Sequence, residues 1–151
     1  MENTKEFTIA VLKDLLQNCL EEQSLFKRAS LRISDPKIIQ KLENYADDKY
    51  ISICKLETEI KRLGGKVEKT ENDQNISEKP NIKGDYDINK ILLECVNKDT
   101  ITLNKYSSAI KEEILWEVIP LVAKQFVETQ NMHDNLMSSF WNYQQVQINT
   151  I

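Results

Sequence analysis

Apolar residues recur at spacings of three and four through four long stretches of this chain, the period of a helix buried along one face. The first stretch runs from about Thr8 to Arg32, with Leu12, Leu15, Leu16, Cys19, Phe26, Ala29 and Ile33 on its stripe. Ser34-Asp35-Pro36 follows. Ser or Asp supplies a capping oxygen there, and Pro36 suits a first helical turn. The second stretch carries Ile39, Leu42, Ala46, Ile53, Leu56, Ile60 and Leu63. It ends in Lys61-Arg62-Leu63-Gly64-Gly65, cations at the negative end of the helix dipole and then a glycine stop. The third runs from about Asp87 to Lys111 on Ile88, Leu92, Cys95, Leu103, Tyr106 and Ile110. The fourth covers about Ile114 to Trp141 on Ile119, Val122, Phe126, Leu136, Met137 and Phe140. Pro120 sits near its start, so the regular helix begins at about Ile119 or its first turn is kinked.

Residues 66–86 break the pattern. They are rich in Glu, Lys, Asn and Asp, with Pro80 and Gly84, and predict a long surface connection. A four-helix bundle gives such a length a purpose. A crossover must travel about 35 to 40 Å to match a helix of about 25 residues. The expected fold is therefore an all-α, antiparallel four-helix bundle of two helical hairpins joined by the 66–86 crossover. Residues 1–7 form an N-terminal extension, 8–141 the bundle, and 142–151 a polar tail that frays.

The chain has 151 residues, enough for one domain and a sizeable core. Only three Gly and three Pro occur, which suits long helices and disfavours sandwiches and barrels. The formal net charge of -4 argues against general binding to nucleic acid or to an anionic membrane. No apolar run approaches the roughly 18 residues of a membrane span. Met1 to Phe7 lacks the layout of a signal peptide, so a cytoplasmic location is expected. Cys19, Cys54 and Cys95 are widely spaced and read as reduced thiols packed on helix faces.

Extending the stripes exposes the most informative feature. Each acquires a polar or charged residue near its middle: Glu22 after Cys19, Lys49 after Ala46, Asp99 after Cys95, and His133 between Phe126 and Leu136. Unpaired buried charge costs several kcal/mol, so these groups should meet or stay wet. Two readings compete. One is a metal site for iron or manganese held by Glu22, Asp99 and His133. Di-iron bundles need Glu-x-x-His on two helices, but this chain has one His, with Gln130 three residues before it and a cation, Lys49, at the level of the ligands. The other is a buried ion network in which Lys49 bridges Glu22 and Asp99, and His133 bonds to an acid or a tyrosine. The residues favour the network. Ser107-Ser108 and Ser138-Ser139 form no triad with the lone His, and the three glycines form no phosphate loop. Trp116 and Trp141 either cap the core or mark a contact surface.

Several short matches recur in a fixed order: Asn18-Cys19-Leu20-Glu21, Leu42-Glu43-Asn44-Tyr45-Ala46, Arg62-Leu63-Gly64-Gly65, Ile91-Leu92-Leu93-Glu94-Cys95 with Leu103 and Tyr106, Gln125-Phe126 and His133-Asp134. Together they resemble a bacterial ferritin-like four-helix-bundle family of unknown function, related to two-hairpin stress-associated proteins. The resemblance covers about residues 8–137. It implies the ferritin-like fold, a stress-related role and a basic residue at the level of Lys49, and it transfers no activity. Relatives often have an amphipathic helix with Trp in the crossover, whereas residues 66–86 are polar here. The expected protein is non-enzymatic and acts through self-association, a dimer first, or through a protein partner. The alternative is a metal-binding oxidase or peroxide scavenger.

Overall fold

A computed structural model describes residues 2–68 and 87–149. Those residues contain four α-helices and no strand: α1 (Glu2–Ser30), α2 (Pro36–Arg62), α3 (Ile88–Lys111) and α4 (Ile119–Asn149). A single 3-10 turn, Trp116–Val118, precedes α4. No helix among the described residues is long and apolar enough to cross a membrane.

Caps fix three of the internal ends. The Asp35 carboxylate accepts from the backbone N–H of Lys37 at 2.9 Å, with Pro36 in the first turn of α2. Asp87 accepts from the N–H of Asn89 at 3.0 Å and starts α3. At the far end of α2, Gly64 takes a φ of 89°, and the N–H of Gly65 returns to the Ile60 carbonyl at 2.8 Å. The left-handed residue lets the chain turn back on the last carbonyls of the helix.

The expected ends of the chain need correction. The 1–7 extension is helical from Glu2, and the 142–151 tail continues α4 to Asn149. Neither segment contains Gly or Pro, so nothing stops the helix. Of the two openings considered for the fourth helix, the chain takes the later one, at Ile119, with Pro120 in its first turn. Residues 69–86, most of the expected crossover, lie outside the described residues, as do Met1 and residues 150–151.

The helices meet in a consistent order. Between α1 and α2, Ile9 lies near Gly65, Glu22 near Lys49, and Phe26 near Tyr45. Between α1 and α3, Asp14 pairs with Lys105 at 3.3 Å, and Asn18 accepts from Lys98 at 3.1 Å. α3 meets α4 at Tyr106–Gln125 and Asp99–His133, and α2 meets α4 at Lys49–Thr129 and Lys41–Ser139. Along every pair, residue numbers rise on one helix as they fall on the other. Of these four pairs, α2 and α4 approach each other least.

The apolar core is divided in two. One half gathers Leu12, Leu15, Leu56, Ile60, Val118 and Val122, with Cys19 at its edge. The other gathers Phe26, Leu42, Leu92, Met132 and Leu136, with Cys95. Leu136 takes the inward place on α4, and Met137 is exposed. The candidate site lies between the two halves.

Candidate functional site: a charged layer across four helices

Each helix delivers one polar side chain to the same height because each stripe carries it in step with its apolar neighbours. Glu22, Lys49 and Asp99 are buried, and His133 is 19% exposed. The Lys49 Nζ lies 2.9 Å from Glu22 Oε1 and donates to Thr129 Oγ1 at 3.2 Å. It also sits 6.0 Å from the centre of the Tyr106 ring, the range of a cation–π contact. On the other side of Glu22, Asp99 lies close enough to feel its charge, and Asp99 Oδ2 lies 3.2 Å from His133 Nδ1. The four residues singled out from the sequence therefore come together. The link differs in one detail: the second contact of Lys49 is Thr129, and Asp99 joins through Glu22.

Two acids and one ammonium leave the layer short of positive charge. Burial pushes Asp99 up to about 9, the neighbouring Glu22 adds to the rise, and Lys49 opposes it. Asp99 thus keeps its proton at neutral pH. Both oxygens of Glu22 and Oδ1 of Asp99 are buried without a hydrogen-bond partner, and a proton on Asp99 is the donor they lack. The Lys49 approach to Oε1 is an ion pair by distance. Burial, the largest single influence, would lower Lys49; Glu22 together with Cys19 and Asp99 outweighs it and holds the ammonium above its usual value.

A second polar layer runs beside the first and was not read from the sequence. Tyr106 donates to Gln125 Oε1 at 2.6 Å, and Gln125 Nε2 donates to the Ser52 carbonyl at 3.2 Å. Cys19 Sγ lies 3.2 Å from the Tyr106 oxygen. Tyr106 spends its proton on Gln125, so the Cys19 thiol is the donor. Burial holds both the Cys19 thiol and the Tyr106 phenol above their usual values, which keeps them protonated as this chain requires. The signal for this layer was present, since Gln125 falls on the buried stripe of α4, but an amide or hydroxyl on a stripe gives no hint of its partner.

Where α2 and α4 stand apart, a cavity of about 250 Å³ opens. Tyr45, Ser52 and Thr129 line it, Asp48 and Glu128 bring acids, and Lys49 lies in its wall. All three cysteines are free thiols, Cys19 and Cys95 buried and Cys54 half-buried. Among the described residues, no three of His, Cys, Asp and Glu are grouped to hold a metal ion. No family model matches this chain, and no curated protein matches it either.

Proposed function

We propose that the four helices form one antiparallel bundle of the ferritin-like kind, and that it works as a non-enzymatic protein through self-association or a protein partner. The opposed order of contacts along each helix pair supports the bundle. The Lys49 ammonium, 2.9 Å from Glu22 in the layer where acids from two other helices converge, carries the functional reading. In a metal-binding bundle that region holds the cation.

The residues present do not fit iron or manganese as an oxidase or peroxide scavenger would hold it. Lys49 already pairs with Glu22, burial holds Asp99 above the usual carboxylate range, and His133 commits Nδ1 to Asp99. Ligands bind metal in their deprotonated form, and this layer opposes that at Asp99 and sets an ammonium beside Glu22.

Elemental analysis of protein purified after growth in iron and manganese tests the reading. The expected result is metal far below one equivalent. One equivalent that survives dialysis and is lost in Glu22→Gln would overturn it. Lys49→Met gives the stability counterpart: leaving Glu22 buried without its cation should cost about 3 to 5 kcal/mol in urea unfolding, and an unchanged midpoint would remove the ammonium from the argument.

A further inference from the structure

Trp116 and Trp141 are the only tryptophans of the chain. Neither caps the core: they are 81% and 60% exposed. Trp116 lies in the 3-10 turn before α4 and Trp141 towards the far end of that helix. Ile119, Ala123, Val127, Gln130, Asp134, Met137 and Trp141 follow each other on α4 in steps of three and four, which places them on a single face. Ile119, Val127 and Met137 are 38%, 54% and 43% exposed, so the apolar members of the stripe face outward. The inner face of the same helix, with Val122, Gln125, Thr129, Met132 and Leu136, is buried. α4 thus carries two seams, one used within the molecule and one exposed among the described residues. An outward stripe of this length with a tryptophan at each end is the composition of an interface, where aromatic anchors dominate.

The stripe and its margin are complementary to a second copy, with Asp134 on the stripe and Lys124 beside it. Lys124 and Asp134 are both exposed, and each lies five residues from Thr129. Two copies of α4 running in opposite directions, with a two-fold axis at the level of Thr129, bring Lys124 of one protomer beside Asp134 of the other, twice. The same placement sets Trp141 of each protomer against the Trp116–Pro120 turn of the other. From Trp116 to Trp141 the seam is about 37 Å long at the rise of a helix. A buried tryptophan contributes about 150 to 250 Å². Two of them with Ile119, Val127 and Met137 approach the roughly 800 Å² per partner of a stable interface.

We propose that the outer face of α4 is a self-association surface that pairs antiparallel with α4 of a second copy of this chain. This deepens the reading given above, for it names the partner and the face through which the protein acts. A two-fold pair is closed, so association stops at the dimer.

The test uses the full chain, followed by sedimentation equilibrium and tryptophan emission across a dilution series. The expected result is a monomer–dimer equilibrium in which emission shifts to the blue and iodide quenching weakens as the dimer forms. Both tryptophans are exposed, so these signals report the surface at α4 and the turn before it. Val127→Asp, at an exposed position, should weaken the dimer at least tenfold while circular dichroism stays that of the parent. Lys124→Glu should weaken it too, and Lys124→Glu with Asp134→Lys should restore it. A chain that stays monomeric throughout overturns the proposal. So does a dimer whose tryptophan emission does not move, or one that survives Val127→Asp. A charge exchange that restores nothing overturns the antiparallel pairing. Each of these failures leaves the metal analysis, and the non-enzymatic reading it tests, unaffected.

Discussion

Asp99 lies beside one other acid, Glu22, with Lys49, His133, Tyr45 and Cys95 as its further charged or titratable neighbours. Its folded value, about 9, lies above the ordinary 3.8, so the folded chain keeps a proton that the unfolded chain has released. Stability from this source is fully present below the ordinary value and falls as pH rises, until Asp99 itself titrates. The slope should approach about 1.4 kcal/mol per pH unit and not exceed it. Lys49 is held above its usual value and keeps its charge throughout that window. Urea unfolding at a series of pH values should therefore show stability declining from acid to alkaline conditions, and Asp99→Asn should remove the decline. A parent and variant with parallel profiles would mean that Asp99 is ionised when folded. The four members of this layer were legible in the sequence because charge on an apolar stripe contradicts its surroundings. The chain of Cys19, Tyr106, Gln125 and Ser52 was not, because a thiol, a phenol and an amide all pass as ordinary core or rim residues.

Helix ends separate what local chemistry decides from what it leaves open. Asp35-Pro36 and Gly64-Gly65 were read correctly because each residue there does something few others can. Gly65 also has a tertiary reason that sequence could not supply. A Cβ at that position would fall 2.8 Å from Ile60 Cγ2 and 2.9 Å from Ile9 Cγ2, so α1 crosses the end of α2 at backbone distance. Gly65→Ala should cost about 1 to 3 kcal/mol through this crowding. At Gly64 the same Cβ would meet only the Lys5 Nζ, at 4.0 Å, and its cost, about 1 kcal/mol, comes from the positive φ alone. Thermal unfolding of the two variants should rank them in that order, and equal losses would deny the close approach. The outer ends of α1 and α4 reach further than their polar composition predicts. Polar residues without a breaker look like fraying tails, yet they continue a helix that is already nucleated and packed.

At the scale of the molecule, four helices with their order and rough lengths were legible from periodicity, and so was a charged layer near mid-height. That Thr129 joins Glu22, Lys49 and Asp99, and that the layer parts two apolar halves, emerges only from the assembled helices. Substitutions on opposite sides should not feel each other. Ile53→Val and Ile91→Val should each cost about 0.5 to 1.5 kcal/mol. Combined, they should sum to within about 0.5 kcal/mol, and a larger discrepancy would show the halves packing as one. The partition also has a use at the bench. Cys19 belongs to one half and Cys95 to the other, both sealed, while Cys54 is half-buried. A thiol-alkylating reagent reaches a sealed cysteine only when its surroundings open. The native chain thus carries its own pair of stopwatches, one timing each half as it breathes, with a faster third to mark the start.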